Sequence, residues 1–210
     1  MHFNHYGGEA AQLAADLVNA YAERGDGEPV EAEPVEAEAV EAEPARGKSA
    51  VGTSAPGTSV GTDADDPSAL LAAHGVVDHA LTPAQARDVR DWARRLADCF
   101  GPQDLAHRCA TLNRLLEEAS SRPYIALHDG TPHFHYSAPG ADPAAHVRAL
   151  TAAGLAYIVC HADAHRLGRC ARAGCGLAFV DTSRAGRRTY CSVRCANNDA
   201  VARHRSRHHR

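Results

Sequence analysis

Four cysteines near the carboxyl end have the spacing of metal ligands. They form a Cys-x4-Cys pair and a Cys-x3-Cys pair with 15 residues between the pairs: Cys170, Cys175, Cys191 and Cys195. Zn²⁺ takes four ligands in a tetrahedron, and thiolates supply both softness and negative charge. Gly174 and Gly176 allow a tight turn around the first pair without strain. Because four thiolates leave no open position for water or substrate, the pattern predicts one structural zinc ion.

Two disulfides, or four unrelated buried thiols, are the alternatives to zinc. The chain has seven cysteines, an odd number, and its first residues lack the basic and then apolar regions of an export signal. Both features favour a cytoplasmic location, where clustered cysteines bind metal more often than they form disulfides. The other three cysteines fall in predicted helices, and we expect them to be small buried apolar residues: Cys99, Cys109 and Cys160.

Positive charge is concentrated in the same part of the chain. Residues 164–210 hold eleven arginines and two aspartates, a net of +9, so the rest carries −13 of the total of −4. Guanidinium groups match phosphates, and this asymmetry is typical of an acidic body with a basic nucleic-acid-binding end. DNA is therefore the expected partner, and a solvated basic tail is the alternative. The candidate contacts are Arg184, Arg187, Arg188, Arg194, Arg203, Arg205 and Arg207.

The cysteines and arginines need short elements to position them. "GLAFV" and "RRTYC" predict two strands of a hairpin, with "DTSRAG" as the turn between them. "ANNDAVARHRSR" predicts a final helix with Cys195 in its first turn. Knuckle, hairpin and helix in this order make a small treble-clef-like zinc finger over residues 167–207, called the finger below. So short a segment has almost no core, and we expect zinc binding and folding to be one event.

The stretch "FVDTSRAGRRTYCSVRCANN" resembles the CGNR zinc finger, a bacterial module that typically follows an N-terminal ABATE domain. Proteins with that pair are described as stress-induced transcription regulators. The resemblance implies structural roles in the finger for Phe179, Asp181, Ser183, Tyr190 and Asn197. The chain departs from the motif that names the family, because it reads Cys-Ala-Asn-Asn at residues 195–198. The missing arginine removes a charge that could contact phosphate or brace the finger.

The rest of the chain predicts an α+β protein with a mainly helical body. "LAADLVNAYAERG" resembles the opening of the ABATE domain, with Asp16 and Asn19 at matching places. Residues 1–24 and 67–163 are expected to form this body. Residues 25–66, an acidic and Gly/Ser/Thr-rich insert, are expected to be disordered because they have little to bury.

Helical spacing predicts four helices in the body, at about residues 9–24, 82–101, 103–119 and 143–160. Thr82, Pro83 and Gln85 make a capping box at the start of the second helix, and Asp142 starts the last. The predicted buried residues are Leu13, Leu17, Val18, Tyr21, Val89, Ala93, Leu96, Phe100, Leu105, Cys109, Leu112, Leu116, Val147, Leu150 and Ile158.

The body also has a predicted hairpin, "RPYIALHDGTPHFHYSA", which alternates as two strands around Asp129-Gly130. We expect its apolar face to cover the core through Ile125, Leu127, Phe134 and Tyr136. Three histidines then lie on the other face, which we expect to meet solvent: His128, His133 and His135. A metal or small-ligand site on that face is the alternative.

These features predict a zinc-dependent, DNA-binding transcription regulator. Its body would sense a ligand or mediate assembly, with a small molecule or a protein as partner. A protein-interaction adaptor, or a ligand-binding body with an accessory finger, are the alternatives. No phosphate loop, nucleophile elbow or metalloprotease motif is present, so we expect no enzyme. No apolar run approaches about 20 residues, so no membrane partner is expected, and the oligomeric state is left open.

Overall fold

The computed structural model describes residues 5–22, 65–127 and 130–208. Its helices are α1 (His5–Tyr21), α2 (Ser68–Ala73), α3 (Pro83–Leu96), α4 (Leu105–Ala119), α5 (Pro143–His161) and α6 (Val193–His208). Its strands form two antiparallel pairs, β1 (Tyr124–Ala126) with β2 (His133–His135) and β3 (Leu167–Arg169) with β4 (Ala178–Val180). The predicted α+β class with a mainly helical body is confirmed. The predicted insert, apart from residues 65 and 66, lies outside the described residues.

The helix starts follow from local sequence chemistry. The Thr82 hydroxyl accepts a hydrogen bond from the amide of Gln85 at 3.3 Å, and the Gln85 side chain accepts one from the amide of Thr82 at 2.8 Å. This is the predicted capping box, with Pro83 in the first turn. Asp142 caps α5 by accepting a hydrogen bond from the amide of Ala145 at 3.0 Å. Six residues of α2 are too few to show a helical period, which explains why sequence periodicity did not predict it.

Helices α1 and α5 form the centre of the body. Leu13, Leu17 and Val18 are buried on one face of α1, as predicted. A Cβ atom added to Gly154 would lie 2.6 Å from the Cβ atom of Ala10, so α5 meets α1 almost backbone to backbone. By length and composition α5 could also cross a membrane, although half of that apolar window is buried inside the protein. The central helix of a core meets the same criteria, so this observation is weak evidence for a membrane.

Helix α4 buries a different face from the predicted one. Leu112 is buried as expected, but Leu105 is 57% exposed and Cys109 is only half-buried. The side chain that α4 places in the interior is Arg108, which is 2% exposed. The prediction was wrong because it considered only apolar residues for the interior face of this helix. Cys160 is also exposed, so only Cys99 of the three helical cysteines is fully buried.

The body hairpin turns its two faces the opposite way from the prediction. Ile125, Leu127 and Phe134 are 65%, 64% and 61% exposed, and Tyr136 is half-buried. The histidine face, with half-buried His133 and His135, lines a cavity in the body. Alternation correctly separated the two faces, but it could not show which face the helices cover. His128 and Asp129, also part of that prediction, lie outside the described residues.

The finger's strands pair differently from the predicted hairpin. Strand β4 pairs with β3, which precedes the first cysteine pair, and no strand forms at residues 187–191. This small sheet is part of the main core, because Leu167, Ala178 and Val180 are buried in the same cluster as residues of α1, α4 and α5. The finger therefore shares the core of the body, contrary to the expectation that it has almost no core.

Arg108 connects the body to this sheet through three backbone carbonyls. Its guanidinium donates to the carbonyls of Cys99 at 2.6 Å, Gly101 at 2.6 Å and Leu167 at 3.0 Å. Burial lowers the pKa of Arg108, the expected effect of removing a cation from water. These hydrogen bonds compensate that cost and hold β3 against α4.

Replacing Arg108 with methionine should destabilise the protein by about 3 kcal/mol, because buried carbonyls then lose their donors. The free energy of unfolding from denaturant titration measures this loss. Arg114→Met is the matched control, since Arg114 lies exposed on the same helix, and its effect should be within about 0.5 kcal/mol. Equal effects of the two substitutions would contradict the bridging role of Arg108.

Candidate metal centre

The four cysteines are brought together by two turns. Cys170 and Cys175 lie in the loop between β3 and β4, while Cys191 and Cys195 lie at the start of α6. Gly174, within that loop, has a φ of 75°, a conformation that residues with a Cβ rarely adopt. The predicted position of Cys195 in the first turn of the final helix is therefore confirmed.

The sulfur positions fit one tetrahedral ion. The Sγ atom of Cys175 lies 3.8 Å from those of Cys191 and Cys195, which are themselves 3.6 Å apart. All four sulfur atoms, including that of Cys170, lie within 4.8 Å of one another. Zinc bound to sulfur at about 2.3 Å in a tetrahedron places its ligands about 3.8 Å apart. The four thiols thus fit one structural Zn²⁺ ion, as the spacing predicts.

Neighbouring polar groups make the four thiols unequal. Hydrogen bonds involving Ser192 and Arg172 lower the pKa of Cys195 to about 6. The Nη1 atom of Arg172 lies 3.8 Å from that sulfur. Burial raises the pKa of the Cys191 thiol to about 12. Cys195 therefore ionises more easily than Cys191. Sequence reasoning assigned no role to Arg172.

Asp181 organises the loop between β4 and the second cysteine pair. It is buried, and its carboxylate accepts hydrogen bonds from the amides of Ser183 and Arg188, both at 2.8 Å. From the other side, Arg166 donates to the carbonyls of Asp181 at 2.8 Å and Ser183 at 2.7 Å. Burial alone would raise the pKa of Asp181, but its hydrogen bonds with Ser183 and Arg188 lower the pKa overall.

The remaining finger residues have distinct surroundings. Phe179 lies buried across Gly168, where an added Cβ atom would come within 2.5 Å of its ring. The Arg188 guanidinium lies 5.5 Å from the centre of the same ring. The Tyr190 hydroxyl donates to Asp199 of α6 at 2.7 Å, which ties the loop to the helix. Asn197 is exposed on α6, and its structural role stays a prediction.

All seven arginines predicted to contact DNA are exposed. Three lie in the loop that precedes α6, and four lie on α6 itself: Arg184, Arg187, Arg188, Arg194, Arg203, Arg205 and Arg207. Two of them also have intramolecular partners, because Arg203 lies 3.1 Å from the Asp199 carboxylate and Arg188 donates to the Cys191 carbonyl. Their roles toward DNA stay predictions.

Residues 166–208 match the family model of the CGNR zinc finger. The finger is therefore similar to CGNR zinc fingers over its whole length. No curated protein matches the chain. The match begins at Arg166, whose contacts brace the loop containing Asp181, and it ends within the last helix. The Cys-Ala-Asn-Asn variant of the naming motif leaves all four sulfur positions intact. The likeness of the body to the ABATE domain stays a prediction.

The purified chain should contain one zinc ion, and Cys195→Ser should lower the metal content toward zero because one thiolate is lost from the tetrahedron. Elemental analysis measures the ratio. Cys160→Ser, which removes an exposed thiol outside the cluster, should retain one ion. Chelation should expose the amides of residues 181–200 to hydrogen exchange while the amides of β3 stay protected by the core. Full unfolding on chelation would instead support the one-event expectation.

Asp181→Asn should destabilise the finger by about 1–3 kcal/mol at neutral pH, because an amide group then faces a backbone N–H donor. The folded pKa of Asp181 is lowered, so its contribution is present above the unfolded pKa and is lost as pH falls through the folded value. Thermal melts of both proteins at falling pH should therefore converge. A constant difference down to strongly acidic pH would contradict this assignment.

Proposed function

We propose that the protein is a cytosolic, non-enzymatic transcription regulator that binds DNA through its CGNR zinc finger. The observation that carries the proposal is the state of α6. Among the described side chains of this helix, only Cys195, Ala196 and Asp199 are buried or half-buried. Val201, its apolar residue beyond the zinc site, is 49% exposed. A helix of this kind, projecting from a folded body, has the dimensions to enter a major groove.

The charge of this surface matches a phosphate backbone. Arg194, Arg205 and Arg207 are exposed on α6, and Arg184 and Arg187 extend the charge onto the preceding loop. The zinc ion and the Tyr190–Asp199 hydrogen bond would fix the loop relative to the helix, so the cations are held in a defined arrangement. Rigid placement of guanidinium groups favours phosphate contacts, because less conformational freedom is lost on binding.

The body supports a sensing role in this proposal. It contains a cavity of about 700 Å³ bounded by α1, α5 and the body hairpin, which is large enough for a small ligand. The sheet that begins the finger is packed into the same body through Leu167 and Val180. A ligand that shifted α1 could therefore change the position of the finger without crossing a flexible linker.

A protein-interaction adaptor is the second candidate. Its support is the exposed apolar face of the body hairpin, formed by Ile125, Leu127 and Phe134. Exposed apolar patches often mark protein-binding surfaces. Under this alternative the basic finger would contact an acidic protein, and the hairpin face would extend that contact.

The zinc-loaded chain should bind duplex DNA at low salt, with affinity falling by about 0.9 log unit per log unit of salt for each phosphate neutralised. The double variant Arg205→Ala/Arg207→Ala should weaken binding to all sequences and reduce this slope. Arg203→Ala should have a smaller effect, because Asp199 already pairs with Arg203. Fluorescence anisotropy across a salt series measures both quantities.

Arg87→Ala is the matched control, since Arg87 is an exposed arginine on α3 in the body. Its affinity and salt slope should equal those of the unaltered chain. Absence of duplex binding at low salt by the zinc-loaded protein would reject the regulator and favour the adaptor.

A further inference from the structure

Three histidines of the body line the same cavity: His133, His135 and His146. The first two come from β2 and the third from the first half of α5. The walls around them include apolar residues such as Leu13 and Leu150. A few converging polar groups among apolar walls are typical of a ligand site. None of these histidines contributes to the zinc centre of the finger.

Each of the three imidazoles is oriented through its Nδ1 atom. In His133 this atom lies 2.9 Å from the carbonyl oxygen of Thr131. In His135 it lies 3.3 Å from the Tyr124 hydroxyl. In His146 it lies 3.0 Å from the hydroxyl of a neighbouring serine, Ser137. Histidines that bind metals almost always use one nitrogen for such an oxygen partner and the other for the ion.

The Nε2 atoms of His133 and His135 face each other at 3.0 Å. Two adjacent ligands of an octahedral ion, each about 2.1 Å from it, have this separation. The ring centre of His146 lies 5.4 Å from that of His135, so the third imidazole is next to the pair in the same cavity. Three imidazoles on one side of an ion would leave its other positions open to the cavity.

Protons can be assigned consistently with and without an ion. Without it, His133 donates from Nδ1 to Thr131, so its Nε2 accepts a hydrogen bond from Nε2–H of His135. The Tyr124 hydroxyl then donates to Nδ1 of His135. With an ion bound, the His135 proton moves to Nδ1 and donates to the Tyr124 oxygen.

We propose that His133, His135 and His146 bind one divalent transition-metal ion that accepts imidazole ligands in an octahedral geometry, such as Fe²⁺, Co²⁺ or Ni²⁺. The claim that an ion binds here depends only on the cavity and the hydrogen bonds of the three histidines. The further claim that the ion regulates the protein depends on the regulatory function proposed above.

Calorimetric titration of the zinc-loaded full chain with Ni²⁺, without DNA, tests the site. One Ni²⁺ should bind in addition to the structural zinc, and His133→Ala/His135→Ala should weaken this binding by roughly 100-fold or more. Tyr124→Phe should weaken it by about 10-fold, since it removes the oxygen that orients His135 but keeps the ring. Near-ultraviolet circular dichroism of each variant verifies that the fold is retained.

Two controls separate this site from other histidines. His165→Ala removes an imidazole that is exposed outside the cavity and paired with Asp163, and it should leave Ni²⁺ affinity unchanged. His204→Ala/His208→Ala/His209→Ala should also retain the binding, which excludes the three C-terminal histidines as its source. Loss of the Ni²⁺ signal in either control, or equal Ni²⁺ binding by the unaltered chain and the folded His133→Ala/His135→Ala variant, would overturn the proposal.

Measuring DNA affinity with and without Ni²⁺ distinguishes the two proposals. DNA binding without any Ni²⁺ site would overturn the metal inference and leave the regulator intact. A Ni²⁺ site in a protein that binds no DNA would support the metal inference and overturn the regulator. An effect of Ni²⁺ on DNA affinity that disappears in His133→Ala/His135→Ala would support both.

Discussion

The side chain of Asn19 bonds both backbone groups of Ala178, accepting from its N–H at 2.8 Å and donating to its carbonyl at 2.9 Å. The Asn19 side chain on α1 thereby makes two hydrogen bonds to the backbone of β4, as a neighbouring strand would. Arg108 makes the corresponding connection from α4 through the carbonyl of Leu167. A two-stranded sheet alone is marginally stable in water. These contacts and the shared core stabilise the sheet. The zinc ion is therefore needed only to order the loop after β4 and the start of α6.

Features governed by local chemistry could be predicted from the sequence. The capping box at Thr82, the buried face of α1 and the four-cysteine spacing each depend on residues within one short segment of the chain. Zinc ligation was the clearest case, because the tetrahedron requires four soft ligands and the chain offers them within 26 residues, from Cys170 to Cys195.

Predictions that depend on tertiary packing were less successful. The alternation in β1 and β2 separated an apolar from a polar face, but the helices cover the polar face and leave Phe134 exposed. Arg108 was overlooked because a buried cation leaves no periodic signal in sequence. The partner of β4 was misassigned for a similar reason: the loop after Val180 is held by Asp181 and Arg166 instead of by strand pairing.

The shared core has a consequence for the evolution and engineering of such fingers. The β3–β4 sheet of the finger depends on Asn19 and Arg108, so we expect the finger not to fold independently of the body. If the finger were fused to another protein, it would keep the four sulfur atoms that bind the ion. It would lose the contacts of β3 and β4 with α1 and α4. Any lineage that exchanged this terminal segment would have to inherit, or rebuild, the matching positions on α1 and α4.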